Sequence, residues 1–195
     1  SAIVKYFGKK PILIDDDVSP GIQYEGEDHL GADRAVSCVA AMEKYGKPLV
    51  VLDFGCVVDG YHSDMTRTFA VGHASDECRR IYDIVREAHE RALNALRAGV
   101  TGRALDAVAR DYIAAQGYGA CFGHSLGHGF GLEIHEEPRA STRSDTVFEP
   151  GMTITIEPGI YVEGLCGVRI EDCCVVTEDG YIDLVSSPKE LLIVS

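Results

Sequence analysis

Residues 49–71 run LVVLDFGCVVDGYHSDMTRTFAV, an apolar strand, a tight turn and a returning strand. Leu49-Val50-Val51-Leu52 is an apolar run of the buried-strand kind. Asp59-Gly60 is a two-residue turn of the type that closes a β-hairpin. With Val58 set against Tyr61, Asp53 falls opposite Thr66, and Asp64, two residues before Thr66, shares the Asp53 face. Diagonal neighbours of this kind stand about 7–8 Å apart, so the two carboxylates converge. Such a pair either grips a cation or is two solvated aspartates beside a turn, and the hairpin alone leaves both open.

Beyond the hairpin come a pair of helix signals and then a group of strand signals. Ser75 is an N-cap followed by Asp76 and Glu77, and Ile81, Ile84, Val85, Ala88, Ala92, Leu93 and Leu96 keep helical spacing as far as Arg97 and Gly99. Thr101 caps a second helix with Leu105, Val108, Ala109, Tyr112 and Ile113 on one face, ending at Gly117. Met152 to Glu157, Val168 to Val176 and Leu191 to Val194 read as strands, with a turn at Glu178-Asp179-Gly180. Upstream, Ile12-Leu13-Ile14 is a short apolar run, Pro20 to Gly31 is turn-rich, and Ala35 to Tyr45 suits a short helix. Strands grouped around a helix pair predict an α+β class.

The last third repeats the carboxylate theme. Pairing Tyr161 with Gly167 across a five-residue loop, Val162 to Cys166, sets Glu157 directly opposite Glu171. Both interrupt apolar strands, where an unpaired carboxylate carries a heavy desolvation penalty and two facing ones repel. Either a cation or an arginine, Arg169 or Arg143, relieves them. Between the hairpins runs HSLGHGFGLEIHEEP, residues 124–138, with three imidazoles among glycines that let backbone approach a ligand closely. Two Asp, two Glu and a His favour borderline or hard ions over a structural zinc site.

At these residues the chain resembles the pita-bread metallopeptidases, the family of methionine aminopeptidase, aminopeptidase P, prolidase and creatinase. The resemblance covers about Pro48 to Ser195 and rests on LDFG (52–55), GYHSDMTRT (60–68), GHG (127–129) through His135-Glu136, TIEPG (155–159) and GVRIED (167–172). It implies a curved, mainly antiparallel sheet with helices on its outer face. The Thr-Arg-Thr and Val-Arg-Ile-Glu-Asp runs are similar to the branch that cleaves Xaa-Pro bonds. The implied ligands are Asp53 for one ion, Asp64 and Glu171 bridging, and His128 with Glu157 for the other. The ions are manganese first, with cobalt, zinc or iron as alternatives. Glu157 is implied as proton shuttle and His135 as the residue that steadies the intermediate; His124 lines the substrate pocket and Arg169 meets ligands or a substrate carboxylate. Family members carry a longer half-domain before the first aspartate, whereas 52 residues precede Asp53 here, and Val36 stands where the Xaa-Pro branch usually has a histidine. The expected division is therefore a shortened or altered segment over 1–47 and a catalytic domain over 48–195. The expected activity is hydrolysis, by metal-activated water, of the bond between an N-terminal residue and proline. A non-catalytic pita-bread binding module and methionine aminopeptidase-type specificity are the alternatives.

Composition fits this reading. The 195 residues are 46% hydrophobic and 25% charged, ordinary for a globular chain and unlike a disordered one. A net charge of −13 repels phosphate backbones and argues against nucleic-acid binding. No apolar run approaches the roughly 20 residues that span a bilayer, and Ser1 to Lys10 hold no long apolar stretch. Seven cysteines, an odd number without Cys-x-x-Cys spacing, read as reduced thiols. The expected setting is cytoplasmic, and resemblance to the Xaa-Pro branch implies a homodimer.

Overall fold

The computed structural model describes residues 49–194. The readings made over 1–47, including the helix at Ala35 to Tyr45 and Val36, lie outside the described residues. Two antiparallel strands open the fold, β1 (Leu49–Phe54) and β4 (Met65–Val71), with Asp53 opposite Thr66 as the turn requires. Between them lies the short hairpin of β2 (Val57–Val58) and β3 (Tyr61–His62). Asp59 and Gly60 both take positive φ, 51° and 87°, which is the mirror-image turn that suits strand twist. The ladder is interrupted at Gly55, where an added Cβ would lie 1.9 Å from the Ser63 carbonyl oxygen. The missing side chain lets the strands close at the step before Asp64.

Helices α1 (Asp76–Ala95) and α2 (Gly102–Ala115) follow, capped by Ser75, which accepts from the Cys78 amide, and Thr101, which accepts from that of Ala104. The predicted apolar faces are the buried ones: Ile81, Val85, Ala88 and Ala92 from α1 meet Leu105, Ala109 and Ile113 from α2 in one core. That core continues into the sheet through Ile154, Ile156, Ile160, Val168 and Ile170.

A 3-10 turn at Gly119–Cys121 leads into β5 (Gly127–Gly129), which pairs with β6 (Glu136–Ala140). Then come β7 (Thr153–Ile156), β8 (Gly159–Val162), β9 (Cys166–Arg169), β10 (Asp172–Val176), β11 (Tyr181–Asp183) and β12 (Leu192–Val194). The sheet orders are β1-β4-β12 and β11-β10-β7, with β12 the parallel member.

The second hairpin departs from expectation in two ways. Val162 pairs with Cys166, so the loop has three residues rather than five. One register runs through both β8–β9 and β7–β10, yet the ladder breaks at Glu157 and Glu171. Their amides turn instead to third parties: Glu157 donates to the Leu126 carbonyl at 2.8 Å, and Glu171 to that of Thr66 at 3.1 Å. The glutamates thus stand at a gap in the ladder, where their strands bend toward other elements.

Candidate metal centre

Asp64 enters the site from the step before β4 and is buried, with its own carbonyl accepting from Cys173 Sγ at 2.9 Å. His128 is the middle residue of β5. Its glycine neighbours are dictated by crowding: a Cβ on Gly127 would lie 1.8 Å from the Thr155 carbonyl oxygen, and one on Gly129 2.4 Å from that of Glu137. Nδ1 of His128 lies 3.0 Å from the Gly129 carbonyl, which only accepts, so Nδ1 holds the proton and Nε2 faces the site. From Nε2 it is 3.2 Å to Glu157 Oε1 and 3.7 Å to Asp64 Oδ2. Thr155 ties the group together, accepting from the His128 amide at 3.0 Å and donating to Glu157 Oε1 at 3.1 Å.

Glu171 closes the cluster. Ligand atoms of Asp64, His128 and Glu171, all buried, lie within 4.8 Å of one another. Burial, followed by the nearby Glu157 charge, pushes the Glu171 carboxyl up to about 8, although Thr66 Oγ1 donates to its Oε2 at 2.5 Å. Asp64 is raised for the same reasons, burial first and Asp53 second. Burial alone would lower His128, but the Glu157 hydrogen bond, the Gly129 carbonyl and the surrounding carboxylates outweigh it and raise the imidazole. Buried carboxylates that cannot all ionise, gathered around an imidazole whose Nε2 faces them, form a donor set that a divalent cation satisfies.

Asp53 is at the exposed edge of this cluster, held by Arg169 Nη2. The guanidinium also donates to Thr66 Oγ1 and to the Tyr161 hydroxyl, each at 3.1 Å. No ion pair joins Arg169 or Arg143 to a glutamate among the described residues: Arg169 spends its hydrogen bonds on Asp53, Thr66 and Tyr161 and meets Glu171 only through longer-range charge attraction. Tyr161 links Arg169 to His124, whose Nε2 is 3.0 Å from the hydroxyl. His135 stacks edge-on to His128 with ring centroids 4.3 Å apart and is otherwise open to solvent.

The structure thus brings together Asp64, His128, Glu157 and Glu171, sets Asp53 and Arg169 beside them, links His124 to Arg169 through Tyr161 and places the His135 ring against His128. Sequence reading missed Thr66, Thr155 and Tyr161. Thr66 was detectable as the partner of Asp53 in register, whereas Thr155 and Tyr161 read as ordinary strand residues. Among the described residues, no helix is long and apolar enough to cross a membrane.

Residues 35–178 match metallopeptidase family M24. Residues 1–59 also match type III pantothenate kinase, a similarity lying mostly outside the described residues. A curated Xaa-Pro dipeptidase from Pyrococcus furiosus is 52% identical over 144 residues, 74% of this chain and 41% of the relative. The solved Xaa-Pro dipeptidase from Bacillus anthracis is 58% identical with a TM-score of 0.74, covering 74% of this chain and 41% of that one. The X-Pro aminopeptidase from Thermotoga maritima is 46% identical with the same TM-score of 0.74, over 75% of this chain and 42% of that one. The chain therefore spans about two fifths of the length of these relatives, and over the matched residues its fold is the α+β pita-bread fold.

Proposed function

Because the chain belongs to metallopeptidase family M24, we propose that it is a dinuclear metal-dependent exopeptidase acting on the bond between an N-terminal residue and proline. The observation that carries the reading is the convergence of Asp64, His128 and Glu171 within 4.8 Å, with Glu157 at 3.2 Å from His128. Asp53 would serve one ion, His128 and Glu157 the other, and Asp64 and Glu171 would be shared between them. Manganese is the first choice, ahead of cobalt, zinc and iron, since the donors are mostly oxygen. When bound, the metals supply an acidified water and polarise the scissile carbonyl.

The chain's own residues do the rest. Glu157 accepts the proton of the attacking water and returns it to the leaving proline nitrogen, with Oε1 steadied by the Thr155 hydroxyl. His135 donates toward the carbonyl oxygen as charge builds there. His124, fixed between the Ser125 carbonyl at 2.8 Å and the Tyr161 hydroxyl, forms a wall for the substrate. Arg169 aims Asp53 at the site.

Residues 48–195 form the catalytic domain in this reading and 1–47 a shortened or altered segment. The protein works as a homodimer on peptides with proline second. Its six described cysteines are free thiols, which supports a cytoplasmic setting. Retention of every ligand position disfavours a non-catalytic binding module. The test is a panel of Ala-Pro, Ala-Pro-Ala and Met-Ala peptides with manganese or a chelator, run beside Asp64→Ala. Chelator-sensitive cleavage before proline that Asp64→Ala abolishes is expected. Cleavage confined to Met-Ala, or full activity in Asp64→Ala, overturns the proposal.

A further inference from the structure

We propose that Arg67 is a positioning residue of the metal centre, acting behind it to fix Glu171 against Asp64 and His128. The inference rests on the metallopeptidase reading of that site. Along β4, Thr66 and Arg67 point to opposite faces, as successive strand residues must. Thr66 faces the cluster and donates to the Glu171 carboxylate. Arg67 faces away and is 4% exposed.

Glu171 lacks the support of a ladder, since it sits in the gap between β9 and β10, and one isolated bridge to Thr66 holds its backbone. The amide of Thr66 reaches the Glu171 carbonyl only at 3.4 Å. Arg67 makes good that weakness. One guanidinium nitrogen donates to the carbonyl oxygens of both bridge partners, Thr66 at 2.9 Å and Glu171 at 2.8 Å. The other donates to Asp172 Oδ1 at 2.7 Å and to the Ser187 carbonyl at 2.9 Å, while Nε takes the Pro188 carbonyl at 2.9 Å. Every donor of the fork is used, and its acceptors come from three separate stretches of chain.

Asp172, the residue after Glu171, is wholly buried, and Lys189 Nζ lies 2.8 Å from its second oxygen. The Glu171–Asp172 backbone is therefore clamped from behind between Arg67 and the segment leading to β12. The clamp needs a planar fork. A lysine at 67 keeps the charge against Asp172 but cannot span the Thr66, Glu171 and Ser187 carbonyls together. Partners that orient metal ligands typically contribute 10–100-fold to affinity.

The test measures manganese affinity of the full chain by the loss of the free Mn(II) paramagnetic signal, in Arg67→Lys and in Lys189→Met. Lys189→Met also strips a cation from Asp172 but leaves the fork, so it reports a merely structural role. Arg67→Lys is expected to keep its circular dichroism and weaken Mn(II) binding about 10–100-fold, while Lys189→Met stays within about twofold of the parent. Unchanged affinity in Arg67→Lys, or an equal loss in both variants, overturns the inference. Should Arg67→Lys not fold, Arg67→Met, which fills the buried volume without any donor and leaves Asp172 to Lys189, is expected to lose affinity likewise, and parental affinity there overturns it. Ala-Pro hydrolysis is scored separately. Manganese binding by the parent without hydrolysis sinks the Xaa-Pro reading and leaves this inference standing, whereas a parent that binds no manganese sinks both.

Discussion

Replacing Glu171 by glutamine in the metal-free chain tests the electrostatics of the site directly. Burial and the neighbouring carboxylates move the Glu171 carboxyl from its ordinary 4.5 up to about 8. A raised carboxyl binds its proton more tightly folded than unfolded. Its stability contribution is fully present below the unfolded value and is lost as pH climbs to the folded one. Across pH 6 to 9 the unfolded chain has already ionised Glu171, while the folded chain gives up its proton only near the top of that window. The parent should therefore lose about 2–3 kcal/mol relative to Glu171→Gln between these limits, at about 1.4 kcal/mol per pKa unit. For a chain of this size that is roughly 5–10 °C in the difference between melting temperatures. The assay is thermal unfolding of chelator-dialysed parent and Glu171→Gln at pH 6, 7.5 and 9, repeated with manganese. The parent curve should fall away from that of the variant as pH rises, and manganese should restore it at pH 9. Parallel curves for the two proteins would mean that Glu171 is not held protonated by its burial.

Two further perturbations probe how the scaffold holds the site. Gly127→Ala puts a Cβ 1.8 Å from the Thr155 carbonyl oxygen; β5 must move off β7 and take His128 with it, so calorimetric titration should show manganese affinity falling at least about tenfold. Asp106→Ala strips a buried carboxylate that holds Arg110 through two oxygens and accepts from the Leu126 amide at 3.0 Å. It should cost about 3 kcal/mol in urea unfolding. Because Arg110 also pins the His124 carbonyl at 2.8 Å, KM for Ala-Pro should rise more than kcat falls.

The parts that could be read from sequence share a local cause. Asp59-Gly60 fixes the first hairpin through its own dihedrals, so the Asp53–Thr66 pairing follows without knowledge of the rest. The helix faces follow from their spacing and caps. The register of the second hairpin was legible too, because Tyr161 and Gly167 bracket a short loop. Its interruption at Glu157 and Glu171 was not, since the competing partners, Leu126 and Thr66, lie far away in sequence. Strand β5 was hidden by glycine, since the residues that let His128 approach the sheet erase its alternation, and β6 by its charges and Pro138. Likewise, the Arg67–Asp172 pair spans 105 positions, and nothing in either local pattern announces it.

Metal content is the sharpest test of a two-ion site. The full chain would be loaded with manganese, cleared of excess by gel filtration, and measured by elemental mass spectrometry beside Asp64→Ala. The parent chain should retain about two ions and the variant clearly fewer. A parent that retains no metal after loading, or a variant that retains as much, would contradict it.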